Sequence, residues 1–236
     1  GRAHRNSNHE MRLVLAPNKA VLYPEFLGAF PPADFRCGLE RLAELRERLH
    51  QTPEVGLIDM WSHLARLKDA AGEPLYFPGD SHWTLRGAAE MSRAVVDSIE
   101  PGLWREGAVA VKEEILLPMD LATLIGTPRS VRVSLTETRR PGVTTEVVET
   151  QDCEQGPECL VRYRSSGSAK LIGRRTLLVR DSFGTMSIAT LAPYFADITF
   201  LFWSNELEQQ LATRMKNADL IIYETVDHFL WDRVIV

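Results

Sequence analysis

Arg174-Arg175-Thr176-Leu177-Leu178-Val179-Arg180-Asp181-Ser182-Phe183-Gly184-Thr185-Met186 changes character halfway along. Residues 176 to 179 form a short run without Gly or Pro, three of them apolar, as expected of a strand buried on both faces of a parallel sheet. Polarity then flips at Asp181 and Ser182. From Phe183 the pattern turns helical, with Met186 and Ala189 three apart, until Pro193 limits the segment. The stretch therefore reads as strand, turn and helix with a serine at the turn. In an open α/β sheet such turns lie at the carboxyl ends of the strands, where ligands bind and a new helix presents backbone N–H groups. A serine there can attack an acyl carbon while those N–H groups hold the oxyanion. The same Asp-Ser pair can also be a plain helix cap.

The remaining chain fits one core. Its 236 residues suit a single α/β domain, with residues 102 to 173 as a β-rich insertion, better than two full domains. With 27 basic and 32 acidic residues the net charge is −5, and no basic run or Arg/aromatic stripe is present, so nucleic acid is not an expected partner. No apolar run reaches the ~20 residues needed to span a bilayer. The chain opens Gly-Arg-Ala-His, without an initiator Met or an apolar signal segment, and reads as trimmed. Cys153 and Cys159 bracket a turn-forming Glu-Gln-Gly-Pro-Glu, so either a local disulfide or two free thiols is open.

In chain order, residues 11 to 16 make a first strand that ends at Pro17-Asn18-Lys19, a polar turn that either lines a site or is only a turn. Leu39, Leu42, Leu45 and Leu49 recur at helical spacing. Residues 55 to 58 read as a short strand, and Asp59 caps a helix carrying Leu64 and Leu67. Thr84 caps a helix that gathers Leu85, Ala88, Ala89, Val95, Val96 and Ile99 on one face. Residues 131 to 136, 144 to 148 and 160 to 164 alternate apolar with polar and are separated by Pro-Gly and Gly-Pro turns, which predicts an antiparallel β insertion. Strands at 198 to 202 and 218 to 223 flank a helix with Leu207, Leu211 and Met215.

Asp80 and His82 fall on the loop ahead of the Thr84 helix. Two positions apart in an extended segment, they point to one side, so the carboxylate can fix the imidazole's tautomer. With Ser182 they supply nucleophile, general base and orienting acid. His82 beside Trp83 also fits a packed core imidazole. An Asp-x-His pair can bind metal, but no further His or Cys cluster at ligand spacing appears, so no metal or cofactor is expected. A competing serine lies in Gly79-Asp80-Ser81, with His228 as base supported by Asp227 or Glu224. Context disfavours it, because Pro78 cannot belong to the central strand that such a nucleophile requires.

Three blocks in this order resemble the AlgJ/AlgX-like polysaccharide O-acetyltransferases: Ala16-Pro17-Asn18-Lys19 with Tyr23-Pro24-Glu25, then Asp80-Ser81-His82-Trp83-Thr84 with Gly87, then Arg180-Asp181-Ser182-Phe183-Gly184. The resemblance runs from Met11 to about Leu230. It implies an SGNH-hydrolase-like, flavodoxin-like parallel sheet flanked by helices, permuted so that the Asp-x-His pair precedes the serine. It further implies Ser182 as nucleophile, His82 as base and Asp80 as its orienter. Oxyanion or substrate contacts are expected among Phe183, Asn18, Lys19, Arg180 and Trp83. The activity implied is O-acetyl transfer to sugar hydroxyls of a bacterial exopolysaccharide such as alginate. The acetyl donor is then delivered by a membrane acyltransferase protein, and the location is the periplasm or another extracytoplasmic space. Two alternatives stay open: a carbohydrate acetylesterase of the same fold, and a non-catalytic polysaccharide-binding or assembly subunit; a groove lined by Trp83, Trp203 or Trp231 would serve an enzyme or a binding subunit alike, and each Trp also fits the core.

Overall fold

The structure is a computed structural model that describes residues 9–28, 33–70, 73–104, 109–154, 156–204 and 208–230. Its centre is a seven-stranded sheet in the order β2 (Leu57–Ile58), β1 (Glu10–Ala16), β9 (Leu220–Val226), β7 (Thr176–Arg180), β8 (Asp197–Phe202), β6 (Gly156–Gly167), β5 (Val143–Cys153). Strands β1, β2, β7, β8 and β9 run parallel. The decisive run forms β7, buried at every position, between β8 and β9.

The strand pleat sends alternate side chains of β7 to opposite layers. Leu178 joins the larger core with Val14, Phe200 and Ile222. That core also takes Leu64 from α3 (Met60–Lys68) and Met91, Val95 and Val96 from α4 (Leu85–Ile99). Leu177 and Val179 face the other way, toward Leu211 and Met215 of α7 (Glu208–Asn217). Leu42, Leu45 and Leu49 of α2 (Ala33–His50) pack on Leu15 and Trp61. Both predicted caps form: Asp59 accepts from the Ser62 N–H, and Thr84 from the Gly87 N–H. Gly87 is required by space, since a Cβ there would lie 2.6 Å from both the Leu75 carbonyl oxygen and the Trp83 Cβ.

Two expectations change. Within residues 102 to 173, β3 (Val109–Pro118), which carries no period clear enough to read, pairs with β4 (Ser130–Thr138) as a separate antiparallel ribbon. Strands β5 (Val143–Cys153) and β6 (Gly156–Gly167) instead extend the main sheet, because β6 pairs antiparallel with β8. Alternation reveals one exposed face but not which strand lies alongside. The helix expected from Phe183 is broken into a 3₁₀ segment (Phe183–Ser187), the four-residue α6 (Ile188–Leu191) and a second 3₁₀ turn (Ala192–Tyr194). Gly184 and Thr185 are poor helix formers and Pro193 brings no N–H, so little helix dipole builds up behind Ser182.

Cys153 and Cys159 form a disulfide with Cα atoms 5.8 Å apart, closing the β5–β6 hairpin. Among the described residues no helix is long and apolar enough to cross a membrane.

The packing sets a stability prediction. Leu178→Ala opens a cavity under β7 and should cost about 2–5 kcal/mol, whereas Leu124→Ala, at a position 81% exposed, should shift stability by no more than about 0.5 kcal/mol. Urea unfolding of the two variants checks this, and equal losses would contradict the core described here.

Candidate active site

The carboxyl ends of the parallel strands converge on Ser182. Its backbone is helical and its hydroxyl makes no capping bond. Asp181 occupies the capping role instead: its Oδ1 accepts the Phe183 N–H at 2.8 Å, and its Oδ2 accepts the Val226 N–H at 2.8 Å and the Thr225 hydroxyl at 3.0 Å. The buried Asp181 thus ties the end of β7 to β9, while Ser182 points to the surface. Glu224 accepts the Asp181 N–H at 3.1 Å. A Cβ on Gly184 would fall 2.8 Å from both Glu224 Oε2 and Arg180 Cβ, so this tight turn admits only glycine at 184.

Asp80, Ser81 and His82 sit at the tip of a small hairpin. Thr84 N–H bonds the Leu75 carbonyl at 2.8 Å, Phe77 N–H bonds the His82 carbonyl at 3.2 Å, and Tyr76 bridges to Trp83. The Asp80–His82 pairing comes from a turn rather than the extended segment expected. Asp80 Oδ1 accepts the His82 backbone N–H at 2.8 Å and lies 2.7 Å from its ring Nδ1, a side-chain turn of the Asx kind. On the other side of the ring, His82 Nε2 stands 2.8 Å from Ser182 Oγ. The Phe183 ring lies beneath the imidazole, with centroids 4.8 Å apart. Nδ1 facing a carboxylate carries the proton, which leaves Nε2 as an acceptor for the serine hydroxyl.

Three groups hold the hairpin in place. The Lys19 ammonium donates to the carbonyls of Phe77, Pro78 and Asp80 at 2.6, 2.9 and 2.9 Å. Burial lowers its pKa; Asp80 and Asp120 pull it back up, and Arg129 pushes it down again. The Trp83 indole N–H donates to the Phe183 carbonyl at 2.8 Å, a buried bond from this loop to the serine turn. Asp120, at the start of α5 (Asp120–Leu124), gives its N–H to Asp80 Oδ2 at 2.8 Å. It also takes the Ser81 N–H at 2.7 Å and the Ser81 hydroxyl on its two oxygens.

Sequence reading missed Asp120, since nothing at residues 118 to 120 signals that β3 delivers them to this loop. Asp80, His82 and Asp120 are close enough to be considered as a metal cluster. Their carboxylate oxygens already accept hydrogen bonds within the loop, so the set reads as a hydrogen-bond network.

Other expected contacts are placed differently. Arg180 and Trp83, considered for oxyanion or substrate contact, are 2% and 0% exposed. Arg180 turns inward to the Thr185 hydroxyl at 2.8 Å and the Glu158 carbonyl at 3.0 Å, and burial lowers its pKa to about 10. The Phe183 N–H is taken by Asp181. Asn18 caps α1 (Lys19–Leu22) through the Ala20 N–H and meets His228 Nδ1 at 3.1 Å. His228 is therefore turned to Asn18 and not to Ser81, and Asp227 is buried against Trp61 and Asn18, its carboxyl raised by burial. Trp203 packs edge-on to Tyr223, and Trp231 lies outside the described residues.

A serine turn at the centre of a mostly parallel sheet, with an imidazole arriving on a preceding loop, defines an SGNH-hydrolase-like α/β domain. The chain belongs to the family described as SGNH hydrolase-like domain, acetyltransferase AlgX, which it matches over residues 2–158, a span holding Asp80 and His82 but ending before Ser182. No curated protein sequence matches it. Solved structures share the fold over nearly the whole chain. The O-acetyltransferase domain of Pseudomonas putida AlgJ is 16% identical with a TM-score of 0.58, covering 97% of this chain and 77% of that one. Bacillus cereus PatB1, solved with a sulfonyl adduct, is 14% identical with a TM-score of 0.61, covering 97% and 84%. Pseudomonas aeruginosa AlgX is 14% identical with a TM-score of 0.51, covering 96% of this chain and 53% of that one.

Trp83→Phe removes the donor from a buried carbonyl and should lower stability by about 1–3 kcal/mol in urea unfolding. Burial pushes the Asp80 carboxyl up, but bonds from Asp120 and His82 pull it down further, so it lies below its ordinary value. A depressed carboxyl contributes stability above its unfolded pKa and loses it as the pH falls through the lower folded value. Asp80→Asn should therefore destabilise at pH 7, and its difference from wild type should narrow below about pH 4. An Asp80→Asn deficit that grows in acid would contradict this network.

Proposed function

We propose that this chain transfers acetyl groups to sugar hydroxyls of a bacterial exopolysaccharide through an acetyl-Ser182 intermediate. The observation that carries the reading is the relay Asp80 Oδ1, His82, Ser182 Oγ, with contacts of 2.7 and 2.8 Å, in a chain of an acetyltransferase family. Ser182 Oγ attacks the acetyl carbon as its proton passes to His82 Nε2, which then protonates the leaving oxygen. In the second half a sugar hydroxyl gives its proton to His82 and takes the acetyl group, and Ser182 recovers its own. Asp80 stabilises the imidazolium in both halves. The Ser182 N–H is the oxyanion donor in this reading, since the Phe183 N–H serves Asp181.

The Cys153–Cys159 disulfide supports an oxidising, extracytoplasmic location. A membrane acyltransferase protein is then the fitting source of acetyl groups. Acetylester hydrolysis is the second reading, favoured by the exposure of Ser182 and the partial exposure of His82, which let water compete with the sugar.

The test is p-nitrophenyl acetate turnover with intact-mass detection of the acetyl adduct. Ser182→Ala and His82→Ala should each lose on the order of 100-fold or more and show no adduct, while Ser81→Ala keeps both. Unchanged turnover in Ser182→Ala would sink the assignment and favour a binding subunit.

A further inference from the structure

Asp120 reaches the His82 loop from the insertion, on an anchored turn. The connection from β3 to β4, residues 119 to 129, docks on the His82 hairpin: Met119 and Ala122 are buried, and the Ala122 N–H bonds the Gly79 carbonyl at 3.0 Å. The Met119 N–H closes the turn on the Arg129 carbonyl at 2.9 Å. The Asp120 carboxylate is fixed in its turn, with the Ser81 N–H on Oδ1 at 2.7 Å and the Ser81 hydroxyl on Oδ2. That Oδ2 lies 3.6 Å from His82 Nδ1, too far for a hydrogen bond and close enough for charge. Asp80 Oδ1, at 2.7 Å, holds the Nδ1 proton. The imidazole therefore has one bonded and one unbonded carboxylate at Nδ1, while Nε2 faces Ser182.

The charged groups around this ring come from every element packed on its hairpin. Lys19 of α1 presses its ammonium against the hairpin carbonyls, and the Arg129 guanidinium lies over Gly79, where a Cβ would come 2.9 Å from Nη2. On the serine turn Asp181 is turned to β9, and beyond β9 Asp227 and His228 face Trp61 and Asn18. Two cations, Lys19 and Arg129, thus accompany two carboxylates, Asp80 and Asp120, while the ring is neutral. When Ser182 Oγ attacks, its proton passes to Nε2 and the ring becomes a cation that keeps its Nδ1 proton. Without Asp120, Asp80 would meet that new charge and both cations alone. We propose that Asp120 is a positioning residue for the acyl transfer and the second carboxylate of the relay: its N–H fixes Asp80 Oδ2, and its charge, acting at Nδ1, stabilises the imidazolium. The proposal rests on the acetyl-Ser182 reading above.

Asp120→Asn separates the two parts, because it keeps the backbone N–H to Asp80 and an oxygen for the Ser81 N–H and removes the charge. The experiment measures kcat/KM for p-nitrophenyl acetate from roughly pH 5 to 9, in low and in about 1 M salt, with the acetyl adduct read by intact mass. Asp120→Asn should lower the plateau by about 3- to 10-fold, as fits a charge at this distance on a side chain 43% exposed. Its acid limb should move to lower pH by about half a unit or more, since a carboxylate at Nδ1 favours the protonated ring. High salt should narrow the gap from wild type. Asp120→Glu, which keeps the charge, should keep the wild-type limb. Glu114→Gln, which removes an exposed carboxylate paired with Arg132 on the same ribbon, should match wild type throughout. An Asp120→Asn enzyme with the wild-type plateau and limb overturns the proposal. So does one that is slower with its limb unmoved and its deficit indifferent to salt, the result that lost packing alone would give. In both cases the adduct still forms and the acetyl-serine chemistry stands; absence of the adduct in wild type removes that chemistry as well.

Discussion

A single buried hydrogen bond, from the Trp83 indole to the Phe183 carbonyl, joins two segments a hundred residues apart. Trp83 follows His82 directly and Phe183 follows Ser182, so fixing one pair fixes the other. The Trp83 and Phe183 rings meet edge to face at 5.2 Å, and both are buried. Apolar packing supplies the attraction and the directional bond supplies the register. The contact between His82 Nε2 and Ser182 Oγ is itself at the surface, where a hydrogen bond alone contributes too little to hold two loops together. Its geometry is inherited from the buried layer beneath it.

The carboxylates around this layer divide their work by depth. Asp181 and Asp227 are each 2% exposed, and their oxygens are met by backbone N–H groups, a hydroxyl or an indole. A carboxylate taken out of water must be matched this way, and in return it pins the loops that supply the N–H groups. Asp80 stands between regimes, with one oxygen on the imidazole and the other on the Asp120 N–H. Asp120 is the outermost; it fixes Ser81 and lies 3.6 Å from the imidazole Nδ1. Ser81 gives its hydroxyl to the Asp120 carboxylate, while His82 Nε2 faces Ser182. Lys19 lies under the same loop and balances the charge of Asp80 and Asp120 while it holds three carbonyls.

The sequence carried the sheet's centre because β7 is buried on both faces, and a continuous apolar run has few other uses. It carried α3 and α4 because their caps, Asp59 and Thr84, act within four residues. It could not divide Asp181 from Ser182: both types cap helices, and only the position of Val226 and Thr225 on the neighbouring strand decides which one turns inward. Asp120 was illegible for the same reason, since its role exists only once β3 has carried it to the Asp80 loop. Arg180 and Trp83 looked like site residues from their neighbours in the chain, yet a side chain next to a reactive one can point into the core. The destination of β5 and β6 was also hidden, because alternation fixes a strand's faces and leaves its edge partner open.

On the acetyl-Ser182 reading proposed above, transfer and hydrolysis differ only in which hydroxyl reaches the acetyl carbon, and the architecture bears on that competition. Ser182 is exposed on its turn, so among the described residues nothing shuts water out. On that reading a sugar would be favoured over water only by being held in place, which raises its effective concentration at His82. The polar groups near the imidazole are committed to the loop's own structure, so little hydrogen-bonding capacity is left for that task.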